Sequence, residues 1–150
     1  MSQSLVKNYI HIVFSTKHRQ PLILPTFEDE LYKYLGGICR NLECVPIAVG
    51  GYVDPVHILC LLSKKISAVH LIKELKTSSS KWFKSKDVRL LNFYWQGGYG
   101  AFSVDARGVD RVHSYIVDQY DHHRAKSYQE EFRTLLDEHE IQFDERFVWD

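Results

Sequence analysis

Val-Pro-Ile-Ala-Val-Gly-Gly-Tyr-Val-Asp-Pro-Val-His-Ile-Leu-Cys-Leu-Leu, residues 45–62, decides the fold. Two apolar runs, 45–53 and 56–62, meet at Tyr-Val-Asp-Pro. Proline has no amide hydrogen for a strand ladder, so it is tolerated at the first residue of a strand and not inside one; the two runs read as a hairpin. Working outward, residues 6–16 carry Tyr9, Ile10, Ile12, Val13 and Phe14, the aromatic and β-branched types of a first strand. Between it and the hairpin, Phe27, Leu31, Leu35 and Ile38 recur at helical spacing, with Thr26 as N-cap and an end near Asn41. Beyond the hairpin, residues 67–84 repeat Leu71, Leu75 and Trp82 on one side and lysines on the other, which is a second, basic helix. Gly97, Gly98 and Gly100 mark a turn before a short strand at 101–104. The order strand, helix, strand, strand, helix, strand is the split β-α-β pattern. It predicts an α+β, ferredoxin-like (RRM-like) antiparallel sheet with helices on one face. Additional C-terminal helices follow, one over 109–124 and one opened by the capping-box pair Ser127 and Glu130 and ending near His139.

A chain of 150 residues is long enough for one domain with a real core, taken here as 1–150, and too short to expect two. Hydrophobic residues make up 45% and charged residues 25%, and no apolar run approaches the roughly 20 residues of a membrane span. The first residues, Met-Ser-Gln-Ser-Leu-Val-Lys, lack the apolar stretch of a secretory signal. Cys39, Cys44 and Cys60 are an odd number without Cys-x-x-Cys spacing, so reduced thiols are expected and the cytoplasm is the simplest location. A net charge of zero conceals an asymmetry: 64–89 holds eight basic against two acidic residues, and 127–150 holds eight acidic against two basic. A polyanion would meet the middle of the chain and not its tail. The plainer reading of those lysines is a solvated helix face.

Three residues carry the chemistry. Tyr115 and Gln119, in Asp-Arg-Val-His-Ser-Tyr-Ile-Val-Asp-Gln (110–119), are four apart, which on a helix places a nucleophile beside a possible metal ligand. His57, on the buried strand at 54–62, can supply a second ligand to the same ion. Together they suggest metal-assisted phosphoryl transfer by a tyrosine.

Several stretches extend this reading: Ile-Val-Phe-Ser-Thr-Lys-His-Arg (12–19), Asp-Pro-Val-His-Ile-Leu (54–59) and Trp-Gln-Gly-Gly-Tyr-Gly-Ala-Phe-Ser-Val (95–104), with Tyr-Ile-Val-Asp-Gln-Tyr-Asp-His-His-Arg (115–124) and Asp-Glu-Arg-Phe-Val-Trp (144–149). On these the chain resembles the small single-tyrosine HUH-type transposases of bacterial insertion sequences (the IS200-like transposase family). HUH denotes two histidines flanking one hydrophobic residue on a strand. Here the second histidine falls on His57 and the first on Pro55, whose side chain offers an ion no lone pair in place of an imidazole. Residues i and i+2 of a strand share a face, which is why the family spacing chelates one ion. The resemblance implies that Tyr115 attacks a phosphodiester of single-stranded DNA, releases a 3′ hydroxyl and keeps the 5′ phosphate as an ester that a second hydroxyl can reseal. It implies Mg²⁺ or Mn²⁺ held by His57 and the carbonyl oxygen of Gln119, a donor that suits a hard cation. His11, on the first strand, is a candidate to compensate for Pro55, unless its side chain points away or serves a backbone contact.

Lys73, Lys76, Lys81 and Lys84 are candidate phosphate contacts for the hairpin ends of such DNA, with Trp82 as a stacking platform or, at its spacing, a core residue. Lys17 and Arg19, after the first strand, are further candidates. His122 and His123 match the family, but a position near a helix C-terminus gives them no catalytic assignment. Similar transposases are homodimers, and the edge of the short last strand is available for pairing. Two other classes compete with the enzyme: a hairpin-binding descendant that lost cleavage through Pro55, and an RNA-binding module of the same fold. The second ranks lower, because the first strand offers mostly aliphatic residues where such modules display aromatics.

Overall fold

The computed structural model describes residues 1–52, 54–119 and 126–150. Its centre is a four-stranded antiparallel sheet in the order β2-β3-β1-β4, built from β1 (Tyr9–Ser15), β2 (Val45–Gly51), β3 (Pro55–Leu61) and β4 (Gly100–Val104). With α1 (Pro25–Asn41) between β1 and β2 and α2 (Ala68–Lys84) between β3 and β4, this is the ferredoxin-like order expected from the hairpin. Pro55 opens its strand, the position where its missing amide hydrogen costs the ladder least.

The pleat divides the sheet into two faces with different jobs. Ile10, Ile12 and Phe14 of β1 and Val56, Ile58 and Cys60 of β3 pack against Leu31, Leu35 and Ile38 of α1 and Leu71, Ile72 and Leu75 of α2. On the other face Val13 and Phe102 meet Tyr128, Phe132, Leu135 and Leu136 of α4 (Tyr128–Glu138), and Ala48 and Leu59 meet Ile116 of α3 (Val109–Val117). Each large apolar side chain so covered contributes about 1.5–3 kcal/mol. Cys39, Cys44 and Cys60 are free thiols, all buried.

Two glycines permit the second layer to sit close. A Cβ on Gly50 of β2 would lie 2.9 Å from the Ile116 carbonyl oxygen, and one on Gly100 of β4 would lie 2.6 Å from Phe132 Cε2. Larger residues would lift α3 and α4 off the sheet, and with them the residues described next.

Several element boundaries differ from expectation. Thr26 is not the N-cap of α1; Leu24 is, with Pro25 as the first helical residue, because proline's fixed φ and absent N–H suit that position. Ser67 caps α2, its Oγ accepting from the His70 amide at 3.2 Å, and Ser127 caps α4 by accepting from the Glu130 amide at 3.2 Å. The helix expected over 109–124 is interrupted at Asp118, which leaves helical geometry at φ −96°, ψ 21°; Gln119 is again helical, and the expected end at Arg124 lies outside the described residues. His122 and His123 lie outside the described residues. Trp82 stacks on Tyr34 with centroids 4.8 Å apart, which takes one ring face and favours its packing role.

Candidate nucleophile and metal site

Because i and i+2 share a face, β1 sends His11 and β3 sends His57 toward α3 and α4, onto a patch of sheet otherwise covered by apolar groups. The two imidazoles stack with centroids 5.1 Å apart, and His11 Nε2 lies 2.9 Å from His57 Nδ1. Burial first, and then the neighbouring His57, hold the His11 pKa well below the ordinary histidine value, so this ring is neutral. His57 has no solvent exposure, and its Nε2 donates to Glu131 Oε1 at 2.9 Å.

Glu131, on α4, is the hub. Its Oε2 also accepts from the Tyr115 hydroxyl and, at 3.3 Å, from Gln119 Nε2. Gln119 folds back as well, donating from Nε2 to the Tyr115 carbonyl at 3.3 Å. The pair thus meets as its spacing anticipated, although the helix is interrupted between them. Burial and then the Glu131 charge push the Tyr115 phenol above its usual value, since a phenolate there would face a carboxylate in a poorly solvated place. A cavity of about 460 Å³, lined among others by His11, Phe102, Arg111, Tyr115 and His139, opens beside the phenol.

Tyr115, Gln119 and His57 therefore converge within one chain, joined by two residues of different standing. His11 is a possible third ligand by sequence; its Nε2 meets Nδ1 of His57, the ring nitrogen opposite the one that faces Glu131. Glu131 had no assigned role. A signal for it exists in the sequence: Tyr128, Glu131, Phe132, Leu135 and Leu136 follow the i, i+3, i+4, i+7, i+8 stripe of a buried helix face, so a carboxylate occupies a core position.

The donor set fits a hard divalent cation. Gln119 Oε1 is a buried acceptor with no hydrogen-bond partner among the described residues, an arrangement that costs about 1–3 kcal/mol unless something else binds it. His57 Nε2 faces Glu131, the same carboxylate to which the Gln119 amide donates from Nε2. Among the described residues no three His, Cys, Asp or Glu side chains form a metal cluster, so any site here needs the amide. Pro55 sits on the His57 face, opposite Ser15, and adds no donor.

The candidate DNA contacts on α2 lie elsewhere. The core side of α2 packs on the far face of the sheet from Tyr115. Lys73 and Lys81 are exposed. Lys84 Nζ sits 4.1 Å from the ring centroid of exposed Tyr94, and Lys17 approaches the same ring at 5.8 Å. Arg19 lies 5.9 Å from the Trp149 ring. Lys76 is already engaged: its ammonium donates to the carbonyls of Gln96 at 2.8 Å and Gly98 at 2.7 Å, tying α2 to the glycine turn.

The family described as Transposase IS200 like matches residues 4–119, a span that ends at Gln119 and leaves Glu131 outside it. No curated protein matches. Among solved structures, a candidate transposase from Deinococcus radiodurans R1 is similar at a TM-score of 0.62 and 21% identity, covering 79% of this chain and 98% of that one. A REP-associated tyrosine transposase bound to a REP hairpin is similar at a TM-score of 0.60 and 15% identity, covering 82% of this chain and 74% of that one. Identities this low speak to the fold alone.

Proposed function

Since the chain belongs to the IS200-like transposase family, we propose that it cleaves and rejoins single-stranded DNA at insertion-sequence ends through a 5′-phosphotyrosine intermediate on Tyr115. The observation that carries this reading is the meeting of Tyr115, Gln119 and His57, from separate elements, on one buried carboxylate. Tyr115 Oη attacks phosphorus, the bond to the 3′ oxygen breaks, and that oxygen leaves with a proton as a 3′ hydroxyl. Attack by a second hydroxyl on the tyrosyl ester reverses the steps without a nucleotide triphosphate. His57 and Gln119 hold Mg²⁺ or Mn²⁺, which when bound neutralises phosphate charge and orients the scissile bond.

A hairpin-ended single strand is the matching partner. Lys17 and Lys84 bracket Tyr94 as a cationic and aromatic platform, with Lys73, Lys81 and Arg19 as further phosphate contacts. Lys76 contributes by holding the glycine turn and not through a free charge. The neighbour solved with a REP hairpin supports this substrate class. The free edge of β4 is the pairing surface for a homodimer, although each chain carries its own Tyr115, His57 and Gln119. No helix among the described residues is long and apolar enough to cross a membrane, and a DNA substrate agrees with the cytoplasm.

A second reading, a hairpin binder that has lost cleavage, is favoured by Pro55 in place of an imidazole. Incubation with labelled single-stranded insertion-sequence ends and Mn²⁺ separates the two. A slower-migrating covalent adduct that disappears in Tyr115→Phe supports the transposase; intact DNA at saturating protein supports the binder.

A further inference from the structure

Pro55 raises a question of charge and number. The family pattern leaves His57 and Gln119 as ligands here, one neutral nitrogen and one neutral oxygen, which is a poor grip on a divalent ion that prefers anionic oxygen. We propose that Glu131 is itself a ligand of that ion, a carboxylate brought from α4 to fill the position that Pro55 leaves without a donor. The inference rests on the metal-assisted reading above and names a residue outside the matched family span.

Three observations point to it. First, Glu131 Oε1 lies 2.9 Å from His57 Nε2, the nitrogen that faces the site. Two donors at right angles around an ion, each about 2.1 Å from it, stand about 3 Å apart, so the pair already has the separation of neighbouring ligands in an octahedral shell. An ion can take the place of the proton they now share. Second, the Gln119 carboxamide puts Nε2 3.3 Å from Glu131 Oε2 and leaves Oε1 without a partner among the described residues. A half-turn of that amide brings the orphaned oxygen to the carboxylate side, the orientation an ion there selects. Third, Glu131 is only 2% exposed, and α4 contributes apolar residues on either side of it, so the carboxylate is held at this spot by the packing of Tyr128, Phe132 and Leu135.

His11 completes the arrangement. When Nε2 of His57 binds an ion it carries no proton, so Nδ1 must carry one and donate it. The acceptor is in place, His11 Nε2 at 2.9 Å. His11 is thereby a positioning residue that orients the His57 ring, and Glu131 supplies the negative charge. The competing role for Glu131 is a tie between α4 and the sheet, with no part in ion binding.

Calorimetric titration of Mn²⁺ into the full chain decides between them, using wild type, Glu131→Gln, Glu131→Asp, Pro55→His and the double variant Pro55→His/Glu131→Gln, each checked for folding by circular dichroism. Wild type takes up one ion per chain. Glu131→Gln, nearly isosteric, weakens binding by at least about tenfold. Glu131→Asp, which keeps the charge but retracts it by one methylene, falls between the two. In the Pro55→His background, where an imidazole fills that position, Glu131→Gln costs less affinity than it does in the wild type, whereas loss of a tie between elements costs the same in both. Wild-type affinity in Glu131→Gln, or an equal loss from Glu131→Gln in both backgrounds, overturns the assignment. Absence of any uptake by wild type sinks this inference together with the metal-assisted reading. Tyr115→Phe separates the nucleophile from the ion: it keeps Mn²⁺ affinity and forms no DNA adduct, and an adduct in that variant refutes the tyrosine chemistry while the metal result stands.

Discussion

Gly50→Ala tests whether the second layer is held against the sheet as closely as the geometry requires. The added methyl would lie 2.9 Å from the Ile116 carbonyl oxygen and 3.1 Å from Ile116 Cγ2. The first of these is backbone, so relief requires α3 to move and not merely a side-chain rotation. Gly50 has no positive φ, so alanine fits its backbone conformation and, by losing glycine's unfolded-state freedom, gains about 0.5–1 kcal/mol. Overpacking costs about 1–3 kcal/mol and outweighs that gain. The difference is a net loss of up to about 2.5 kcal/mol, which corresponds to a fall in Tm of up to roughly 10 °C for a chain of this length. Gly37→Ala is the internal control, because a Cβ there has nothing within 4 Å and the residue lies inside α1. That variant gains about 0.8–1 kcal/mol and raises Tm. Thermal denaturation followed by circular dichroism reads both. A Gly50→Ala protein that melts at or above the wild-type temperature, while Gly37→Ala is stabilised, refutes the close approach of α3. DNA-adduct yield measured on the same samples then shows whether displacing α3 also displaces Tyr115, which should lower it.

Phe132→Ala removes the ring that α4 places over Gly100 and Phe102, and should lower the urea-unfolding free energy by about 3–5 kcal/mol. Ser67→Ala takes away the side-chain acceptor for the His70 amide and should cost about 1 kcal/mol in the same measurement. Burial pulls the Lys76 pKa from 10.5 down to about 8, so the native state binds fewer protons than the unfolded chain between those values and its stability rises with pH across that window. The burial cost is present in full below about pH 8; comparing urea midpoints with Lys76→Met from about pH 7.5 to about pH 10 should show wild type gaining on the variant, and a flat difference refutes the shift.

Pro55 and His57 were assigned to one face by the two-residue period of a strand, and the structure keeps them there. The capping serine at 127 is equally legible, because its partner lies three residues away; the cap at Ser67 emerges from the structure. Thr26 was misjudged where two local signals competed, and Pro25 set the start of α1. Nothing in the apolar spacing of 109–124 announces the break at Asp118.

By itself the sequence determined the order of elements and the faces of the strands, since these depend on periods of two or about four residues; it brought Tyr115 and Gln119 near one another, and Glu131 joins them across the break at Asp118. Only tertiary structure decided that Glu131 would meet His57, 74 positions away, and that the charges of the basic helix would lie across the sheet from the phenol. Those relations arise from how α4 and α2 pack on opposite faces of the sheet. A carboxylate on an apolar stripe announces only that it will be buried, and the partner that makes burial tolerable is chosen by the surface it is buried against.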